Sequence, residues 1–174
     1  VLCRVGLAAL ILVVVVKLTG RVLPKSFAVW LAFFAMAVLN NALPFSLIVW
    51  GQTHIDSSLA SILNATTPIF SVALTHLLTR EERLTTNRLT GVLIGWVGVT
   101  VLIGFESLSG LGLRVLGYLA VLCASCSYAL AAIFGRRFKN MDPVVVSTGM
   151  LCASAALMLP LALMFFDRFR EPLG

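Results

Sequence analysis

The chain has 174 residues, 60% hydrophobic and 11% charged, with a mean hydropathy of +1.04 and a formal net charge of +6. A soluble domain carries roughly a quarter charged residues, and one core at this length cannot hide so much apolar surface, so the expected solvent is lipid. The basic residues stand scattered at the ends of apolar runs and not on one face, which argues against nucleic acid as a partner.

Taken in order, the first apolar run extends from Val1 to Val16, with Arg4 near its start. The chain opens without an initiator Met, and the expectation is a fragment at this end and also at the tail, which stops soon after the last apolar run. A signal peptide places its cations ahead of the apolar stretch; here Lys17, Arg21 and Lys25 follow it, so the segment is read as a membrane helix.

The second run, 27 to 51, and the third, 57 to 79, are the arms of a hairpin turning at GQTHID. Each arm carries an asparagine and, four residues on, a proline: Asn40 with Pro44, then Asn64 with Pro68. A proline within a helix has no N–H and its ring displaces the carbonyl four residues before it. The carbonyls of Asn40 and Asn64 are therefore expected to be freed. Counted outward from a turn near His54, Asn40 matches Pro68 in depth and Pro44 matches Asn64, which makes a polar site inside the membrane.

The loop TREERLTTNR supplies Thr85, Thr86 and Asn87 as caps for a fourth span over 89–105. Gly91 and Gly95 in that span have the four-residue spacing that lets membrane helices approach closely, with Gly98 just beyond. A Gly- and Ser-rich linker over 106–114 leads to a fifth span over 115–134, and a sixth runs from Pro143 to Phe166. The expected fold class is all-α, a polytopic transmembrane bundle of about six spans.

Loop charge sets orientation, since cytoplasmic loops carry the excess of Lys and Arg. The 17–25, 80–88 and 136–139 loops hold three cations each, the 51–56 loop none and the 106–114 loop only Arg114. Both chain ends and the hairpin tip are thus assigned to the outside.

Chemistry-bearing residues are few. Cys3, Cys123, Cys126 and Cys152 lie in apolar runs, and the CxxC of Cys123 and Cys126 has no second pair or nearby His; small packing residues are the simpler reading. His54 and His76 have no partner at ligand spacing, and HExxH, GxSxG and phosphate-cradling loops are missing. No enzyme, metal or cofactor is expected. What stands at depth is neutral: Asn40, Asn41, Asn64, Thr66, Thr67 and Ser71, with Gln52 near the outer end. Such groups bond one another or something that passes through, and broken helices at the midplane are where transporters expose backbone to a ligand. Arg4 either snorkels to the outer interface or attracts an entering anion.

The stretch from Asn40 to Gly104 resembles the EamA-type members of the drug/metabolite transporter superfamily, with Pro68, Glu82, Arg88, Gly91 and Gly98 at that family's marked places. The resemblance implies ten helices in two inverted repeats of five. It makes residues 1–105 helices two to five of the first repeat, 106–114 the linker, and 115–174 the first two helices of the second. LAALILV at 7–13 and SAALMLP at 154–160 echo that repeat.

The expected function is a secondary transporter in the membrane, by resemblance the bacterial inner membrane, moving a small organic metabolite or drug-like solute by alternating access. Asn40, Asn41 and Asn64 would hydrogen-bond the solute, Pro44 and Pro68 would free carbonyls beside it, Thr67 and Ser71 would line the same face, and Trp50 would cap the outer mouth. A coupling ion, proton or sodium, and a homodimer are left open as partners. The rivals are a non-transporting scaffold or assembly subunit, which would use the same residues for packing, and an intramembrane enzyme with its catalytic groups elsewhere.

Overall fold

The structure, a computed structural model, describes residues 2–78, scattered positions between 90 and 101, and 112–170, with side chains of the last helix through Pro160 and at Ala162. The described residues are helical, with no strand among them. In chain order they form α1 (Leu2–Leu18), α2 (Phe27–Ala37), a π-helical turn (Val38–Ala42), α3 (Leu43–Gln52), α4 (Ser57–Asn64), α5 (Thr67–Leu78), α6 (Leu113–Gly135), a 3-10 turn (Arg136–Phe138) and α7 (Pro143–Arg170).

Among the described residues four helical stretches are long and apolar enough to cross a membrane: Phe27–Gln52, Ser57–Leu78, Leu113–Phe138 and Pro143–Pro160. Helix α1 has 17 residues, about 25 Å at 1.5 Å per residue, a little short of the roughly 30 Å hydrocarbon core. The positions described between 90 and 101 are helical, while most of the expected fourth span, Glu82, Arg88, the Thr85–Asn87 caps and 106–111 of the linker lie outside the described residues. The fifth span begins two residues earlier than expected, at Leu113, because Gly112 is the last position that breaks the apolar helical pattern.

The pattern of burial is that of a membrane bundle. Large apolar side chains such as Leu7, Leu10, Ile11 and Val14 on α1 and Leu119 on α6 are exposed, whereas the buried positions of α6 are mostly small: Gly117, Ala120, Ala124, Ser125, Ser127, Ala129 and Ala131. Lipid tails are as apolar as leucine, so membrane helices gain by close packing of small residues and not by hiding large ones.

The chain forms two compact units, Val1–Ala42 with Gly135–Gly174, and Leu43–Phe134. In the first, called the terminal unit here, α1 and α2 both pack on α7. Gly149 of α7 lies directly against the ring of Phe33, which is fully buried and also contacts Phe138 at 5.4 Å between centroids. Helix α1 ends at a left-handed Gly20 (φ 66°), where Gly20 N–H bonds the carbonyl of Lys17 and Arg21 N–H that of Val16. This paired closure needs a residue free of the Cβ penalty at positive φ. It turns the chain so that Arg21 pairs at 3.1 Å with Asp142, whose carboxylate also caps α7 through the Val144 N–H. Two loops assigned by charge to one side of the membrane thus meet at one end of this unit.

In the second, central unit, the end of α3 and the start of α6 approach through two glycines. A Cβ on Gly51 would stand 2.8 Å from Val121 and 3.1 Å from the Gly117 carbonyl. A Cβ on Gly117 would meet Ile55, His54 and the Gly51 carbonyl at 3.1–3.3 Å. Beneath this contact Ile55, Ala60, Leu63 and Val121 form a buried cluster, with Leu59, Tyr118 and Leu122 packed on it.

Candidate functional site

The two Asn-to-Pro segments have different backbones. At the first, α2 passes into a π turn over Val38–Ala42, the end of the terminal unit's first segment, and the chain goes on into α3 with Pro44 without an interruption. In π register each carbonyl is met by the N–H five residues later, and five residues after Asn40 is Phe45. The N–H that Pro44 lacks is not called upon, and Pro44 itself is fully buried. One extra residue per turn absorbs the proline.

Asn41, in that turn, is buried and donates from Nδ2 to Ser154 Oγ of α7 at 2.7 Å; Ser154 passes its own hydrogen to the Met150 carbonyl at 2.9 Å. Asn40 is only half buried, and its Nδ2 faces the Met150 thioether at 3.5 Å, a weak acceptor. Asn41 is a clamp between helices, while Asn40 keeps most of its amide capacity.

In the central unit the second segment breaks. Helix α4 stops at Asn64, Ala65 and Thr66 form a turn, and α5 begins at Thr67. Thr66 is the first acceptor of the new helix, receiving the N–H groups of Ile69 and Phe70. Pro68 therefore stands in the first turn of α5 and is exposed, where a missing N–H costs nothing because the first four donors of a helix have no partner within it. The sequence expectation of a proline in a helix interior gives way here to a helix end and a helix start.

The carbonyls freed by this break are largely met by hydroxyls. Thr66 Oγ1 donates to the Leu63 carbonyl at 2.6 Å, and Thr67 Oγ1 to the Asn64 carbonyl at 2.7 Å. Ser125, fully buried on α6, places its hydroxyl 3.2 Å from the Leu63 carbonyl, 3.4 Å from the Asn64 carbonyl and 3.5 Å from Asn64 Oδ1. With one hydrogen it serves these acceptors, or the Val121 carbonyl of its own helix at 3.2 Å, in turn. Within hydrocarbon an unmet backbone group costs several kcal/mol, so three hydroxyls gathered at one turn are what allows the break. Asn64 is half buried, and its Nδ2 has no partner among the described residues.

Of the remaining expected residues, Ser71 is half buried one helical turn after Thr67. Trp50 is exposed at the end of α3, its ring 4.6 Å from that of His54. Arg4 is exposed near the start of α1. A Cβ on Gly95 would press on Ile69, whereas on Gly91 or Gly98 it would meet nothing within 4 Å. The four cysteines are free thiols.

Ser125, Ser154 and Met150 are absent from the sequence-level site. An isolated serine in an apolar helix is a weak signal, because it can bond the carbonyl four residues before it, as Ser125 and Ser154 both do. Only the facing helix reveals a second partner.

Comparison with known proteins agrees with this architecture. The model of the EamA-like transporter family matches residues 1–104, more than half of the chain. Similar curated proteins are the uncharacterized transporter YoaV of Bacillus subtilis, 25% identical over 135 residues (77% of this chain, 46% of the relative), and protein PagO of Salmonella typhimurium, 24% identical over 135 residues (78% and 44%). An uncharacterized transporter of Archaeoglobus fulgidus is 24% identical over 157 residues (88% and 51%). The chain spans about half the length of the curated relatives it matches. No solved structure matches it. With its apolar spans it is an integral membrane chain, and its bacterial relatives fit the inner membrane. The chain belongs to the EamA-like transporter family.

Proposed function

We propose that the protein is a secondary transporter that moves a small organic metabolite or drug-like solute by alternating access. The observation that carries this reading is the break between α4 and α5, where the Asn64 amide donor has no partner among the described residues and stands beside the hydroxyls of Thr67 and Ser125. A packing device would satisfy that donor, whereas a transport path keeps it for a passing ligand, and broken helices of this kind are a recurrent feature of transporter binding sites. Asn40 is a second solute contact by the same reasoning, with its amide opposed only by a thioether. Asn41 is assigned to the framework. The donors and acceptors are neutral, which favours a polar solute that is uncharged or zwitterionic, since a permanent cation would call for a carboxylate.

Uptake and efflux in proteoliposomes, with and without proton and sodium gradients, test the proposal and identify the driving ion. Asn64→Ala and Asn40→Ala should each lower transport about tenfold, the size of one hydrogen bond to a ligand, at normal folded yield. Unchanged kinetics in both variants would remove them from the path. No movement of any solute by folded, oriented protein would return the chain to the scaffold reading.

A further inference from the structure

A cavity of about 270 Å³ opens at the hairpin tip of the central unit, between the end of α3, the turn that follows, the start of α4 and the first two turns of α6. It is below the roughly 300–1,000 Å³ of pockets for drug-sized ligands, a size for a small metabolite. Its position is held by the Gly51–Gly117 contact, and its apolar floor by Ile55 and Leu59 of the buried cluster.

The walls carry both signs of charge. Asp56 and Arg114 line the same cavity, yet neither enters an ion pair among the described residues. Asp56 precedes α4 at the position of a helix cap, but its carboxylate makes no capping bond. Arg114 stands in the first turn of the 23-residue α6, where the helix dipole adds to its attraction for an anion.

His54 supplies a defined third group. Thr53 Oγ1 gives its hydrogen to the Trp50 carbonyl at 2.7 Å. The His54 Nδ1 then lies between two acceptors, Thr53 Oγ1 at 2.8 Å and the Trp50 carbonyl at 3.1 Å, and must itself carry a hydrogen. In that tautomer Nε2 is the ring's acceptor.

We propose that this cavity is an entry site, at the end that loop charge assigns to the outside, for a small zwitterion. Its anionic group pairs with Arg114, its ammonium with Asp56 and His54 Nε2. Opposed charges held apart in one cavity match a solute that carries both, and discriminate against a simple anion or cation, each of which meets one repelling group. The role in transport rests on the function proposed above; the binding does not.

The test uses the protein held in nanodiscs and three zwitterions of increasing charge separation, glycine, β-alanine and 4-aminobutanoate, each beside its N-acetyl and methyl ester forms. Binding is read by equilibrium binding of radiolabelled probe and by Trp50 fluorescence, since that ring lies on His54, with Trp50→Phe to assign the signal. At least one zwitterion should bind at least tenfold more tightly than both of its blocked forms, and Arg114→Gln and Asp56→Asn should each weaken it about tenfold; both residues are exposed, so folding is not at stake. Blocked forms binding as well as the parent, no saturable binding by any of the three, or affinity unchanged in Arg114→Gln would each overturn the site. Transport that persists with no binding here removes the entry site alone; binding here in a protein that moves no solute removes the transporter reading alone.

Discussion

Asn40–Pro44 and Asn64–Pro68 are the same five-residue pattern met twice, and the two regions resolve it in opposite ways. At the first the helix stays continuous by widening to a π turn, and the buried asparagine beside it is fastened to Ser154. At the second the helix ends, hydroxyls take the released carbonyls, and an asparagine amide has no partner among the described residues. A proline therefore does not by itself dictate a break. Where the helix is continuous, α7 offers a serine to Asn41. Where α6 offers Ser125 to the carbonyls themselves, interruption is tolerated.

The strongest disturbance should come from the glycine contacts that hold each unit. Gly51→Val forces a side chain onto Val121 and the Gly117 backbone, and Gly149→Val forces one onto the buried Phe33 ring. Each should cost about 2–3 kcal/mol by overpacking, read as a lowered unfolding temperature in detergent. A loss in one variant only would mean that one of the two units is not held by its glycine.

Asn41→Ala comes next. It removes the bond to Ser154 and leaves a small void, for about 1–2 kcal/mol, whereas Asn64→Ala should change stability by well under 1 kcal/mol while affecting transport. Equal destabilisation of the two would abolish the contrast between clamp and site. Ser125→Ala should cost about 1 kcal/mol, and Ser125→Thr should restore most of it.

The smallest effects separate the prolines. Pro44→Ala, at a fully buried position, should cost about 1 kcal/mol and let the π turn relax toward α register. Pro68→Ala, exposed in the first turn of α5, should stay within about 0.5 kcal/mol. A large loss at Pro68 would place it in a helix interior after all.

Much of the architecture is legible in the residues themselves. The hairpin arms expected over 27–51 and 57–79 appear as the helical stretches Phe27–Gln52 and Ser57–Leu78, and the last two spans as α6 and α7. These segments announce themselves because a lipid solvent requires long uninterrupted apolar runs whose backbone bonds are internal. In sequence the hairpin tip is a short connection without Lys or Arg. Its polar cavity depends on Arg114 and Tyr118, which lie some sixty residues away in sequence and carry no local sign of that meeting.

Composition and the apolar runs by themselves determined a membrane bundle and its hairpin arms and last two spans, because hydrocarbon imposes one rule on every residue that enters it; the marked residues from Pro68 to Gly98 carried the family resemblance. The sequence also placed the neutral polar groups within apolar runs. Only the tertiary structure decided which of those groups is engaged: Asn41 by Ser154 across 113 residues of chain, Leu63 and Asn64 by Ser125 across about sixty. A hydrogen-bond partner on another helix is set by rotation and proximity of the two helices, and those are properties of packing that no single run of sequence contains.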